Sequence, residues 1–162
     1  MTIKELYSEF INNLKLLHET GEATAITNMI FEHYLGISVP SVIVNANTGV
    51  DKQILKQMQD ALAELKKNVP VQHILGKAWF YNLSFYVNNA VLIPRPETEE
   101  LVLEAINFLK GNSGGKVLDI GTGSGCIPIS IKVNIPNALV TSIDVSKAAL
   151  EVARKNAINN ND

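Results

Sequence analysis

From Ile3 the apolar residues fall at Ile3, Leu6, Tyr7, Phe10, Ile11, Leu14 and Leu17, a spacing that traces one stripe along a helix. Thr2 and Glu5 stand at the separation of a capping box, in which hydroxyl and carboxylate satisfy each other's orphan backbone donors. A second helix is expected over 22–35, with Ile26, Met29, Ile30 and Tyr34 inward and Gly36 as a left-handed stop. Pro40 reads as an interruption of 38–45, and Asn47-Thr48-Gly49 reads as a turn. Asp51 then caps a third long helix over 52–67, whose stripe is Ile54, Leu55, Met58, Leu62 and Leu65, before Pro70 closes the region. Residues 1–70 are thus expected to form a small helical bundle without a titratable constellation, which suggests docking or packing and not chemistry.

The period changes after Gly76. Ala78 to Tyr81 and Ser84 to Val87 are short, aromatic-rich runs separated by Asn82-Leu83, the pattern of a β-hairpin. A third short strand is expected over 91–93, followed by Pro94-Arg95-Pro96-Glu97-Thr98-Glu99-Glu100, in which two prolines hold Arg95 extended. The next helix begins at Glu97 or Thr98, carries Leu101, Val102, Ala105, Phe108 and Leu109, and stops at Gly111. A βαβ rhythm follows. A buried strand over 116–120 ends in a glycine-rich loop, an apolar helix runs through Ile131, and a strand over 139–143 ends in Asp144. A helix capped by Ser146 then carries Leu150, Val152 and Ala153 into the polar run Asn159 to Asp162. This is the opening of a doubly wound parallel sheet.

Charge narrows the function classes. Six basic residues face eight acidic ones up to position 70, and eight face eight beyond it, so neither half is a polybasic surface and direct nucleic-acid binding is not expected. Apolar residues make up 46% of the 162 and charged residues 19%, the globular range. The lone Cys126 permits no intrachain disulfide, no run reaches the roughly 18 apolar residues of a membrane span, and Met1 leads into Lys4 and Glu5 without a signal-peptide core. A cytoplasmic location, away from membranes, is the expectation. His18, His33 and His73 are too scattered for a metal site, so no metal is expected.

The chemistry concentrates in Asp119-x-Gly121-x-Gly123-x-Gly125, between a strand and a helix, where a Cβ would bar close approach of a ligand and disfavour positive φ. Asp144 stands 23 positions after Gly121 at the end of the next strand, where a carboxylate can grip two ribose hydroxyls. Cys126 occupies the place of the third glycine of the dinucleotide fingerprint, so NAD or FAD fits less well, and no Gly-Lys-Ser or Gly-Lys-Thr completes a P-loop. S-adenosylmethionine fits better. It has no phosphate, and Asp119 and Asp144 supply carboxylates for its amine and its ribose. A dinucleotide site or an unused turn remains the alternative. Cys126 reads as core, with a helix-start thiol as the alternative. Glu97, Glu99, Glu100 and Glu104 read as compensating a helix dipole or as paired acids. The aromatic residues of the hairpin read as cross-strand packing or as a stacking surface.

Val71-Gln72-His73-Ile74-Leu75-Gly76, the hairpin, Val91 to Glu99 and Val117 to Ile127 together resemble the release-factor glutamine methyltransferases, the PrmC or HemK family. The resemblance spans the chain and is specific from about Pro70 onward, above all in Ile93-Pro94-Arg95-Pro96-Glu97-Thr98-Glu99. It implies methyl transfer from S-adenosylmethionine to the glutamine amide of the Gly-Gly-Gln motif of peptide-chain release factors. It also implies that Gly121, Thr122, Gly123, Ser124 and Gly125 line the cofactor beside Asp119 and that Asp144 holds its ribose. Arg95, Pro96, Glu97, Thr98 and Glu99 would border the active-site mouth, and the helical region would help recognise the release factor. Asn82, where a glycine is common in the hairpin, and Pro128, in a helix's first turn, are small departures, and both residues tolerate such places.

The large departure is that no Asn-Pro-Pro-Tyr motif, which holds the reacting amide in that family, occurs in the chain. Catalytic residues are therefore not assigned. Two sheet strands cannot easily bury their apolar residues, so a truncated α/β protein is expected, inactive alone and binding cofactor weakly if at all. Its parts are a helical N-terminal domain (1–70), a β-hairpin linker (71–96) and the start of a Rossmann-like S-adenosylmethionine-dependent methyltransferase domain (97–162). A nucleic-acid adenine methyltransferase and a non-catalytic protein-binding fragment are the alternatives.

Overall fold

Thr2 and Glu5 start the first helix as their spacing predicts. In the computed structural model, which describes residues 1–111 and 115–160, Thr2 Oγ1 accepts from the Glu5 N–H at 3.3 Å and Glu5 Oε2 accepts from the Thr2 N–H at 2.8 Å. Helix α1 (Ile3–Leu14) is followed by α2 (Thr20–Leu35), α3 (Val39–Val44), α4 (Lys52–Leu65) and α5 (Val71–Leu75). Gly36 ends α2 with φ 64°, and the Asp51 carboxylate starts α4 by accepting from the Gln53 and Ile54 N–H groups. Leu6, Phe10, Leu14, Ile30, Phe31 and Met58 are fully enclosed, and Tyr7 and Phe10 meet Phe31 edge-on at 5.1 and 5.7 Å between ring centres.

Three expectations for this region are corrected. The stripe of α1 does not reach Leu17: the N–H groups of Leu17 and His18 close onto the Leu14 carbonyl, and Leu16 and Leu17 face solvent. Pro40 does not interrupt. It sits in the first turn of α3, where its missing N–H has no helical partner to lose. The third long helix ends at Leu65, not Lys67, and Val71–Leu75 adds a short helix to the same core through Val71, Ile74 and Leu75. The first compact unit therefore runs Met1–Leu75, five residues past the boundary drawn at Pro70, and the second runs Gly76–Asp162.

The second unit opens with a hairpin, β1 (Ala78–Phe80) and β2 (Leu83–Phe85), in the register Ala78↔Phe85 and Phe80↔Leu83. Tyr81 and Asn82 turn it with φ of 48° and 61°. Two consecutive left-handed residues match the twist of a tight hairpin, and Asn bears that conformation at low cost. Phe80 and Phe85 are buried on one face while Trp79 is two-thirds exposed on the other, with Lys77 Nζ 4.5 Å from its ring centre. The strand expected over 91–93 is absent: Val91 turns back through its N–H to the Asn88 carbonyl, and no strand pairs with it among the described residues. Helix α6 (Thr98–Gly111) turns Val102, Ile106 and Leu109 inward, while Leu101 and Phe108, expected on its inner stripe, are exposed.

Strands β3 (Lys116–Ile120) and β4 (Leu139–Ile143) pair in parallel, Lys116↔Leu139 through Ile120↔Ile143, joined by α7 (Cys126–Asn134) and followed by α8 (Lys147–Asn159). Ser146 caps α8, its Oγ accepting from the Ala149 N–H. Val117 and Val140 pack into a cluster built by Val102, Ile106, Leu109, Ile129 and Ile131. The opposite face of the same strands carries Leu118, Ile120, Leu139 and Ile143, which are exposed. The strand over 116–120, expected to be buried, is thus covered on one side only. Of the polar run at the end, Asn159 and Asn160 belong to α8 and its cap, and Asn161 and Asp162 lie outside the described residues.

Candidate functional site

Strand β3 delivers its chain directly into α7, and the reversal is made by residues 121–125 with φ of 81° at Gly121, 55° at Gly123 and 78° at Gly125. All three need the left-handed region that glycine enters freely. Their surroundings differ. A Cβ on Gly121 would meet nothing within 4 Å, so that position borders open space. A Cβ on Gly125 would stand 3.0 Å from Ile129 Cδ1 and 3.2 Å from Ala153 Cβ, so the third glycine lets α7 and α8 close together. Gly125 is buried in that contact.

Four of the loop's five N–H groups are used within the chain. Gly121 and Thr122 both donate to the Ile143 carbonyl, at 2.8 and 3.0 Å, and Gly125 donates to the Thr122 carbonyl at 2.8 Å. Gly123 donates to Asp144 Oδ2 at 2.9 Å. A phosphate cradle aims several such N–H groups at its ligand; four of these already have partners. Acceptors, by contrast, are left over. Asp119 Oδ2 and the Thr122 hydroxyl are buried without a hydrogen-bond partner, and the Asp119 oxygen calls for a donor-bearing ligand. The carboxylates of Asp119 and Asp144 stand at the carboxyl ends of adjacent parallel strands, where open α/β sheets bind ligands.

Asp144 is held by backbone. Its Oδ1 accepts from the Ser146 N–H at 2.8 Å and its Oδ2 from Gly123, and these two donors, Ser146 first, lower its pKa below the ordinary aspartate value. The carboxylate is therefore charged and oriented across the glycine loop. The thiol of Cys126, packed against the apolar cluster of α6 and α7, has its pKa raised, chiefly by burial. It is a core residue.

The residues expected at an active-site mouth lead into and start α6. Arg95, Pro96 and Glu97 are exposed, and the Thr98 and Glu99 N–H groups donate to the Arg95 and Pro96 carbonyls as α6 starts. Glu99 Oε1 accepts from the Tyr81 N–H at 2.8 Å, so this carboxylate caps the hairpin turn, a role that neither the dipole nor the paired-acid reading anticipated. Among the described residues no hydrogen bond or ion pair joins 95–99 to the glycine loop. Sequence reasoning also missed Asn156. It is fully enclosed, and an amide in the last turn of a helix offered no signal beyond its place on the α8 face that carries Ala149 and Val152. Of the histidines, His18 pairs with Glu22 at 3.1 Å and His33 stacks edge-on against Tyr34.

Comparison with known proteins agrees with the order of the two units. Residues 5–76 match the PrmC N-terminal domain and residues 99–162 the methyltransferase small domain. The chain is 42% identical over 163 residues to a release factor glutamine methyltransferase of Flavobacterium psychrophilum, covering 99% of this chain and 57% of that protein. Proteins of the same name from Leptospira interrogans and Streptococcus pneumoniae are 38% and 37% identical, with 98% and 99% of this chain matched to 54% and 57% of theirs. The chain spans about half the length of the curated relatives it matches. Its mixed α/β fold, a helical N-terminal region followed by small sheets and the start of a methyltransferase domain, agrees with that span.

Proposed function

We infer from the chain's similarity to release factor glutamine methyltransferases, whose N-terminal part it matches, that it supplies the cofactor side of an enzyme methylating a release factor. The acceptor is the glutamine side-chain amide of the Gly-Gly-Gln motif. Support comes from both units: the matches over 5–76 and 99–162 fall on one chain in the order its relatives have. When bound, S-adenosylmethionine would supply an electrophilic methyl group on a sulfonium sulfur. The observation that carries the cofactor assignment is the pair of buried oxygens left without partners, the Asp119 Oδ2 acceptor and the Thr122 hydroxyl, beside a loop four of whose N–H groups are already used. A ligand with an ammonium and hydroxyls answers that arrangement, whereas a pyrophosphate brings no donor for the Asp119 oxygen.

In this reading Asp119 accepts from the ammonium of the methionine moiety. Asp144, its oxygens already aligned by Gly123 and Ser146, accepts from the ribose hydroxyls with its remaining lone pairs. Gly121 leaves open backbone for the nucleoside to approach, Thr122 and Ser124 complete the lining, and Gly125 shapes the loop from beneath. Methyl transfer is an in-line displacement, so the work of these residues is to fix one partner's position. The amide-holding Asn-Pro-Pro-Tyr is not in this sequence, so these residues leave the other partner unheld. The stretch 95–99 borders the mouth, the helical unit meets the release factor, and the cytoplasm is the compartment this reading implies. No helix among the described residues is long and apolar enough to cross a membrane.

The test is a calorimetric titration of S-adenosylmethionine into this chain and into its Asp144→Ala and Asp119→Asn variants. Each substitution is expected to weaken binding about tenfold, the value of one charge-assisted contact. Unchanged affinity in both variants, or a preference for NAD, overturns the cofactor assignment. A chain extended to the length of its relatives is expected to methylate a release factor at the Gly-Gly-Gln glutamine, and the 162 residues alone are not.

A further inference from the structure

We propose that Asn156 is a positioning residue that ties the glycine-rich loop to the β-hairpin, so that the shape of the loop and the seating of the hairpin are set together. Asn156 is fully enclosed near the end of α8. Its Oδ1 accepts from the Tyr86 N–H at 2.6 Å, and its Nδ2 donates to the Tyr86 carbonyl at 2.9 Å and to the Ser124 carbonyl at 2.8 Å. Both amide hydrogens are used, and a buried amide so satisfied costs nothing that truncation would not multiply.

Topology explains why a side chain is needed there. In a hairpin closed by the two-residue turn Tyr81-Asn82, Phe85 faces its partner Ala78, and the N–H and C=O groups of Ser84 and Tyr86 point to the outer edge. No third strand pairs with that edge among the described residues. Asn156 does what a strand would do for Tyr86. Asn160, one turn further along α8, donates to the Ser84 carbonyl at 3.1 Å. Two asparagines thus line the open edge, and only the first reaches the loop. Ser124 stands between Gly123 and Gly125, so fixing its carbonyl constrains the peptide units on which Gly123 holds Asp144 and Gly125 holds Thr122.

Residue-resolved hydrogen exchange on the full chain tests this. Asn156→Ala is expected to speed exchange at least tenfold at Tyr86 and at the Gly123 and Gly125 amides together. Asn156→Asp keeps the acceptor for Tyr86 and loses both donors, so it is expected to free the loop amides and spare Tyr86. Asn160→Ala is expected to leave the loop amides unchanged. Val152→Ala, a buried truncation on the same helix, controls for general destabilisation: it is expected to lower the Tm without a selective gain at the loop. Should Asn156→Ala fail to fold, Asn156→Asp decides alone. Loop amides that keep their protection in Asn156→Asp, or loosen equally in Val152→Ala, overturn the proposal.

The cofactor arm rests on the reading of this loop as a nucleoside platform. There both Asn156 variants are expected to weaken S-adenosylmethionine binding about tenfold, and unchanged affinity despite a loosened loop overturns the positioning role. If a chain extended to the length of its relatives also takes up no S-adenosylmethionine, the cofactor reading fails, while the exchange result still decides the coupling of loop and hairpin.

Discussion

Met1–Leu75 closes its helices over Phe10, Phe31 and Met58, whereas the unit that begins at Gly76 leaves Leu118, Ile120, Leu139 and Ile143 in water along one face of its two strands. Composition does not separate them; architecture does. Each helix presents one apolar stripe, and α1, α2 and α4 satisfy one another's. A parallel pair presents two apolar faces and needs a layer on each. Helices α6 to α8 supply residues to the cluster on one of them. The candidate site follows the same division, since its carboxylates and glycine turns sit at the carboxyl ends of the half-covered strands.

The largest expected effect falls in the closed unit. Phe31→Ala removes the ring that Tyr7 and Phe10 both contact and is expected to cost about 3 to 5 kcal/mol in urea unfolding. A cost near 1 kcal/mol would mean that this core is looser than its packing implies. Gly125→Ala, in the second unit, puts a Cβ against Ile129 and Ala153 on a left-handed residue and is expected to cost roughly 2 to 4 kcal/mol, with α7 and α8 melting first in hydrogen exchange. Asp51→Ala, which removes the cap from α4, is expected to cost about 1 kcal/mol in a thermal melt.

Smaller still is the response to acid. The lowered pKa of Asp144 means that its contribution is present above the ordinary aspartate value and is lost as pH falls through the lower, folded one. Asp144→Asn is expected to flatten that acid limb in a pH series of melts. Least of all, Ile120→Thr on the bare face is expected to change stability by less than about 0.5 kcal/mol. A loss matching that of Phe31→Ala would abolish the contrast between the two units.

The helices of the first unit were legible because a 3.6-residue stripe and its caps are local: Thr2 with Glu5, Gly36 and Asp51 all act as their spacing predicts. The short helices around Pro40 and after Pro70 were not, because a proline reads as a break when only a longer helix is sought. In the second unit the glycine loop and the hairpin turn were legible from residues that must take positive φ. The inner face of α6 was misassigned because Leu101, Leu103 and Phe108 are as apolar as Val102 and Ile106, and only tertiary packing decides among them. The roles of Glu99 and Asn156 were invisible for a related reason. Each acts on backbone far away in sequence, 18 and 70 residues off, and nothing local marks a side chain for a distant peptide group.

The position of the sole tryptophan has an optical consequence. Trp79 lies on the solvent side of the hairpin, outside both enclosed cores, so its emission in the native state is already close to that of an unfolded chain. Fluorescence melts will therefore register little when either unit comes apart. The same indole will respond readily to whatever molecule comes to lie across the hairpin.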